Sequence, residues 1–197
     1  MKRVVLPPIG IVTEGQGEVS GLPEIYNQLQ ESCGCRLIKP IFASVHPKAP
    51  IAILCKDLAP RVKLSIQRGA RIVVILLDLE DADECPGVRA KEVENGLRRE
   101  VSHDVRVVMK DSCFENWLIA DPAALRRLPA LFGVRDLRFT PGRADKADAL
   151  TLLKRASGSA YAKTVHPQQI LARADVNTMA SNSRSFNKFK RVLAASE

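Results

Sequence analysis

Apolar residues in this chain gather into short continuous runs, separated by stretches in which they recur at helical spacing. Pro8-Ile-Gly-Ile-Val-Thr13, Arg36-Leu-Ile-Lys-Pro-Ile-Phe-Ala43, Ile72-Val-Val-Ile-Leu-Leu77 and Val105-Arg-Val-Val-Met109 are the runs. Rich in Val, Ile and Leu, they read as parallel strands covered on both faces. Pro40 favours an edge position for the second, because proline donates nothing to a ladder. Leu22, Ile25, Tyr26 and Leu29 share one face of a helix predicted over 18–31. Further helices are expected over 51–68, interrupted at Pro60, over 88–101, and from Phe114 onward, with Asp121-Pro122 placed to cap the next one. This alternation predicts an α/β fold: a mostly parallel sheet of about four strands flanked by helices. After Leu128 the strands stop, and helices are expected near 144–156, 167–174 and 184–195. The expected organisation is an α/β core over 1–128 and a basic helical extension over 129–197 packed on it, as one domain overall.

Composition narrows the class. The 197 residues, 46% hydrophobic, are enough for a real core. No stretch approaches the ~18 apolar residues of a membrane span, and the opening Met-Lys-Arg-Val-Val-Leu, broken by Pro7-Pro8, is a poor secretory signal. A cytoplasmic protein without a membrane partner is expected. Cys33, Cys35 and Cys55 with His46 match no standard zinc spacing, so the five cysteines are expected as reduced thiols. His46, His103 and His166 are isolated, and no Ser-His-Asp or Cys-His signature is present. The net charge of +8 is unevenly spread: from Arg135 onward there are twelve Lys/Arg and five Asp/Glu. A basic half beside an acidic strand end suits an enzyme that holds a polyanion with cations and a metal with carboxylates.

The acidic strand end is the run Asp78-Leu-Glu80-Asp81-Ala-Asp83-Glu84, which follows Leu77 directly. Open α/β sheets place their chemistry at the carboxyl ends of such strands. If the strand geometry persists, Asp78 and Glu80 point the same way, ~6.5–7 Å apart. Oxygen donors of this kind suit Mg²⁺ or Mn²⁺ better than zinc. An EF-hand is excluded, since the fifth and twelfth positions counted from Asp78 are Ala82 and Arg89. Glu14, in Thr13-Glu-Gly-Gln-Gly17, lies at the end of the first strand in a glycine-tightened turn. That turn has no Lys-Ser/Thr after its glycines and lacks the third glycine of a dinucleotide site. Glu115, in Phe114-Glu-Asn-Trp117 after the fourth strand, is a third carboxylate near a strand end, while Phe114 and Trp117 are expected in the core. Lys146 and Lys163 are candidates to face a scissile phosphate. Arg184, Lys188, Lys190 and Arg191 are candidates for nucleic-acid contact, with Phe186 and Phe189 as core beneath them.

A Glu after the first strand and an acid-x-acid pair after the third resembles the Toprim superfamily. More closely, the chain resembles the small bacterial Toprim-like family of unknown function numbered 4276. The likeness lies in Thr13-Glu-Gly-Gln-Gly-Glu18, Leu77-Asp-Leu-Glu-Asp81 with Cys85-Pro86, Phe114-Glu-Asn-Trp-Leu-Ile-Ala120, Tyr161-Ala-Lys163 and Ser183-Arg-Ser-Phe186 with Phe189. The usual Toprim pair is Asp-x-Asp; here the second acid is Glu80, with Asp81 beside it as a substitute. The resemblance implies Mg²⁺ or Mn²⁺ and phosphoryl transfer on nucleic acid, DNA rather than RNA. It makes Asp78, Glu80, Asp81 and Glu14 the metal ligands, Glu14 alternatively the general base, Glu115 a group that positions metal or water, and Lys163 or Lys146 the phosphate-facing lysine. With no topoisomerase tyrosine domain and no primase zinc module, a nuclease is the implied activity. A separate ATPase in phage defence or DNA maintenance is the implied partner. Two other functions stay open: a non-catalytic module that binds nucleic acid or a partner, and a small nucleotide phosphohydrolase.

Overall fold

The computed structural model describes residues 7–79, 85–133 and 142–195. Five strands, all paired in parallel, form one sheet: β1 (Pro8–Thr13), β2 (Arg36–Leu37), β3 (Ile41–Phe42), β4 (Ile72–Asp78) and β5 (Asp104–Lys110). The order is β2-β1-β4-β5, and β3 pairs with the far end of β1. The single strand expected over 36–43 is therefore two short edge strands. Pro40, which has no N–H to give, lies in the gap, so β2 pairs with Pro8 and Ile9 while β3 pairs with Val12 and Thr13.

Helices among the described residues are α1 (Gln16–Gly21), α2 (Tyr26–Cys33), α3 (Ile51–Gln67), α4 (Pro86–Glu100), α5 (Glu115–Ile119), α6 (Pro122–Arg126), α7 (Pro129–Phe132), α8 (Ala149–Ala156), α9 (His166–Leu171), α10 (Val176–Asn182) and α11 (Arg184–Ala194), with 3₁₀ turns at Leu22–Ile25 and Ala144–Lys146. The helix expected over 18–31 is thus α1 and α2, joined by the turn that holds Pro23. Pro60 does not interrupt α3. It lies on the solvent face with Lys56, so the carbonyl that loses its amide partner is on the wet side of the helix.

Side-chain parity along the strands divides the core. Val73, Ile75 and Leu77 of β4 pack with Val105, Val107 and Met109 of β5 against α3 and α4. Ile72, Val74 and Leu76 face the opposite way with Ile9, Ile11 and Val108, under the remaining helices. Both faces are covered, which is why these strands read as uninterrupted apolar runs. Cys33 and Cys35 belong to one layer and Cys55 to the other, so they cannot share a zinc ion with His46. Described residues after Leu128 share this packing: Leu153, Ile170, Met179, Phe186, Phe189 and Leu193 join the cluster that contains β1 and α5. Trp117 is its centre, stacked on Phe189 at 5.4 Å and edge-on to Phe186 at 5.1 Å. Each such aromatic pair adds ~0.5–1.5 kcal/mol beyond burial. Phe114 and Trp117 are core residues, as the sequence led us to expect. No helix among the described residues is long and apolar enough to cross a membrane.

Candidate active site

The carboxyl ends of β1, β4 and β5 lie side by side, and the parity that sends Ile72, Val74 and Leu76 to the α1 side sends Asp78 there too. Register pairs Asp78 with Lys110, the last residue of β5. Lys110 is 0% exposed. Its ammonium lies 2.8 Å from Asp78 Oδ1 and 3.4 Å from Glu14 Oε1, and donates to Glu18 Oε1. A lysine so deeply buried is tolerable when surrounded by opposite charge.

Glu18 is fastened on its other side. It is in the first turn of α1, where its Oε2 accepts the N–H of Gly15 at 2.8 Å and the hydroxyl of Thr13. Side-chain return to the residue that precedes the helix is half of a capping box. Glu14 Oε1 accepts the backbone N–H of Asp78, which ties the end of β1 to the end of β4. Burial pushes the Glu14 carboxyl up to about 8; Lys110 opposes this, and Asp78 and Glu18 add to it. The same balance, led by burial, brings Glu18 up to about 7. Burial alone would lower Lys110, but Glu18, Asp78 and Glu14 outweigh it and hold the ammonium charged.

Across a cleft of about 300 Å³ stand Glu115 and Lys163. Glu115 opens α5 and is buried, whereas the Lys163 side chain is 59% exposed; the two meet at 3.4 Å. The Tyr161 hydroxyl reaches the same Glu115 oxygen at 3.5 Å. Burial, reinforced by Glu115, raises the Tyr161 phenol above its ordinary range and brings the Cys113 thiol up to about 12, so both stay protonated. His166 holds the loop that bears Lys163 by accepting the Ala162 N–H at its Nδ1, 2.8 Å away. Gly17 lets that loop approach α1, because a Cβ there would overlap the Lys163 carbonyl oxygen. The Thr-Glu-Gly-Gln-Gly turn and the Tyr-Ala-Lys motif are therefore two sides of one contact.

The remaining motifs build the platform under Glu115. Asn116 donates to the carbonyls of Ala144 and Ala147 at 2.7 and 2.8 Å. The Trp117 indole donates to Ser185 Oγ at 2.7 Å. Asp145 accepts from Ser183 Oγ, Ser185 Oγ and the Ser185 N–H at 2.7, 2.8 and 2.9 Å.

Of the residues singled out from sequence, Glu14, Asp78, Glu115 and Lys163 line the cleft. Glu80 and Asp81 lie outside the described residues. Lys146 pairs with Asp111 at 3.2 Å and is not part of the cleft lining. Arg184, Lys188 and Arg191 are exposed on α11, and Lys190 donates to Asn177 at 2.6 Å. The far end of α11 is tied to Arg106 through the carbonyls of Val192 and Ala195, near the start of β5 and away from the carboxylates. Lys110 was not singled out from sequence, and Glu18 was quoted only as part of a motif, with no role in the site. The signal for Glu18 was its place three residues after a glycine N-cap; Lys110 carried none beyond closing an apolar strand.

A parallel α/β sheet with a lysine-countered carboxylate cluster at the ends of its adjacent central strands, opening on a cleft, defines the class. Residues 13–194 match the family described as a domain of unknown function, DUF4276, and the chain belongs to that family. No curated protein matches it. Among solved structures, the C-terminal region of the Burkholderia pseudomallei OLD protein is similar at 17% identity, with 97% of this chain and 100% of that one covered and a TM-score of 0.45.

Proposed function

We propose that this protein is a divalent-metal-dependent phosphodiester hydrolase that acts on nucleic acid, DNA rather than RNA, alongside a separate ATPase. The observation that carries the reading is the meeting of Glu14 and Asp78 with Glu115 and Lys163 around one cleft at the carboxyl ends of the strands. The ATPase, and a setting in phage defence or DNA maintenance, rest on the Toprim-like resemblance.

The donor set fits a hard cation. Among the described residues no group of three or more His, Cys, Asp or Glu side chains forms a ready cage, and Glu18 is spent on Lys110, Thr13 and Gly15. Glu14 and Asp78 each have one carboxylate oxygen outside those contacts, and these would hold Mg²⁺ or Mn²⁺. Glu80 and Asp81 belong to the same ligand reading from sequence. Such an ion, when bound, supplies Lewis-acid polarisation of phosphate and a more acidic water. Glu115 keeps the Lys163 ammonium at the cleft, where a fixed positive charge favours a phosphate that gains negative charge in the transition state. Lys146, outside the cleft lining, is left the lesser candidate.

The test is incubation of the full chain with plasmid, single-stranded DNA, RNA and nucleotides in Mn²⁺, Mg²⁺ or EDTA. Metal-dependent cleavage of nucleic acid is expected, abolished in Glu14→Ala and Asp78→Ala proteins whose circular dichroism is unchanged. Wild-type-like cleavage in either variant would sink the assignment. One observation favours a second reading, a non-catalytic binding module: Lys110 already offsets part of the acidic charge. Salt-sensitive DNA binding that ignores EDTA, without cleavage, would establish that module. Turnover of nucleotides alone would point to a small-molecule phosphohydrolase.

A further inference from the structure

Lys110 fills the inner side of the carboxylate cluster. Glu14, Glu18 and Asp78 all converge on the single ammonium of Lys110. Glu115 and Lys163 cancel each other across the cleft. Three carboxyl groups thus share one fixed cation.

The three carboxylates are not equivalent. Glu18 is 1% exposed, and both of its oxygens are taken by protein donors. Asp78 and Glu14 line the cleft, and each has an oxygen that neither Lys110 nor the Asp78 amide uses. Lys110 cannot withdraw easily: its ammonium is in the fully buried interior between three elements, and its backbone is fixed in the β4–β5 ladder.

We propose that Lys110 is a resident monovalent cation filling the inner position of the cluster, so that the site takes one divalent ion, through Asp78 and Glu14, with Glu18 as the clamp for Lys110 and not a metal ligand. This rests on the metal-dependent reading above and specifies it. Lys110 then does without exchange what a second divalent ion would do: it keeps two carboxylates together at the strand ends. Its single charge is smaller than a divalent ion's, so the inner position serves geometry, and activation of water would fall to an ion held by Asp78 and Glu14.

Mn²⁺ titration of the full chain, by calorimetry and by electron paramagnetic resonance, decides the matter. Wild type is expected to bind one Mn²⁺ per chain, with no spin-coupled Mn²⁺ pair at saturation. Glu18→Gln is expected to keep that stoichiometry of one, with any loss confined to the ~10–100-fold in affinity typical of groups outside the ligand set. Asp78→Asn is expected to lose the ion. Lys110→Met, if its circular dichroism is native, is expected to take up a second Mn²⁺. Two ions in wild type, loss of binding in Glu18→Gln, or a folded Lys110→Met that stays at one ion would each overturn the inference while leaving metal dependence intact. A wild type that binds no Mn²⁺ would overturn the metal-dependent reading and this inference with it. Because wild type and Glu18→Gln suffice, a Lys110→Met that does not fold leaves the test decisive.

Discussion

Asp78 and Lys110 are cross-strand partners at the ends of β4 and β5, and their side chains meet at 2.8 Å. That ammonium is shared with Glu14 and Glu18, so its removal strands three acids at once. Lys110→Met is expected to cost about 3–5 kcal/mol, the range for breaking a buried pair from one side. Urea denaturation at pH 8 measures it. The loss should shrink at pH 5.5, where Glu14 and Glu18 take up protons; an equal loss at both pH values would count against the charge explanation.

Without a divalent ion, stability should fall as pH rises through neutrality. Glu14 and Glu18 have folded-state values of about 8 and about 7, both above the ordinary 4.5. The folded chain therefore binds more protons than the unfolded one between about pH 4.5 and pH 8. The stability these groups contribute is complete below 4.5 and lost as pH rises through 7 and 8. Lys110, raised, keeps its contribution throughout that window and loses it only at more alkaline pH. Thermal melts in EDTA should show Tm falling from pH 5.5 to pH 8.5. Added Mn²⁺ should flatten the slope, and a Tm that climbs over this range in EDTA would contradict the arrangement.

Gly17→Ala should separate the two sides of the cleft. The new methyl would overlap the Lys163 carbonyl oxygen and press on Pro167. Overpacking of this kind costs ~1–3 kcal/mol. The Lys163 loop must move, so cleavage should fall further than the fraction of folded protein does. A variant destabilised in proportion to its lost activity would show that the contact serves stability alone.

Glu115 and Lys163 should behave as one unit. Lys163→Ala is expected to lower kcat ~10²-fold, the scale of one lost transition-state donor. Glu115→Gln should lower it less, and the double variant should be no worse than Lys163→Ala, because contacting residues are not additive. Lys146→Ala, in a side chain that is 66% exposed and paired with Asp111, should leave kcat within ~twofold of wild type. Steady-state kinetics on all four variants provides the comparison.

Asp145→Asn should be a stability variant. The carboxylate accepts three hydrogen bonds, and an amide in its place would set an NH₂ against either the serine hydroxyls or the Ser185 N–H. The cost should be ~1–3 kcal/mol for a buried donor left unsatisfied. Thermal melting should show it, while kcat at a temperature where the variant is folded should stay close to wild type.

How legible the site was differs residue by residue. Glu14 and Asp78 could be placed together because each follows an apolar run, and parallel strands bring such ends to one edge of a sheet. Glu115 was findable for the same reason. Lys110 was not, since a lysine that closes a strand is ordinarily solvated and nothing local marks it as buried. Its burial comes from Glu18, 92 residues earlier in the chain. The hydrophobic pattern located β1, β4 and β5 well because they are covered on both faces. It merged β2 with β3 because a proline break costs only a residue or two of pattern. It also overlooked α10, where Val176 and Met179 alone turn inward.

The Trp117 indole finds its acceptor, Ser185, 68 residues later in the chain. Phe186 and Phe189, which close around the same ring, come later still. The ground under Glu115 is therefore supplied by the last helix of the chain, while β1, β4 and β5 supply the lysine-countered cluster. The acids at the strand ends and the platform under Glu115 thus come from separate stretches of the chain.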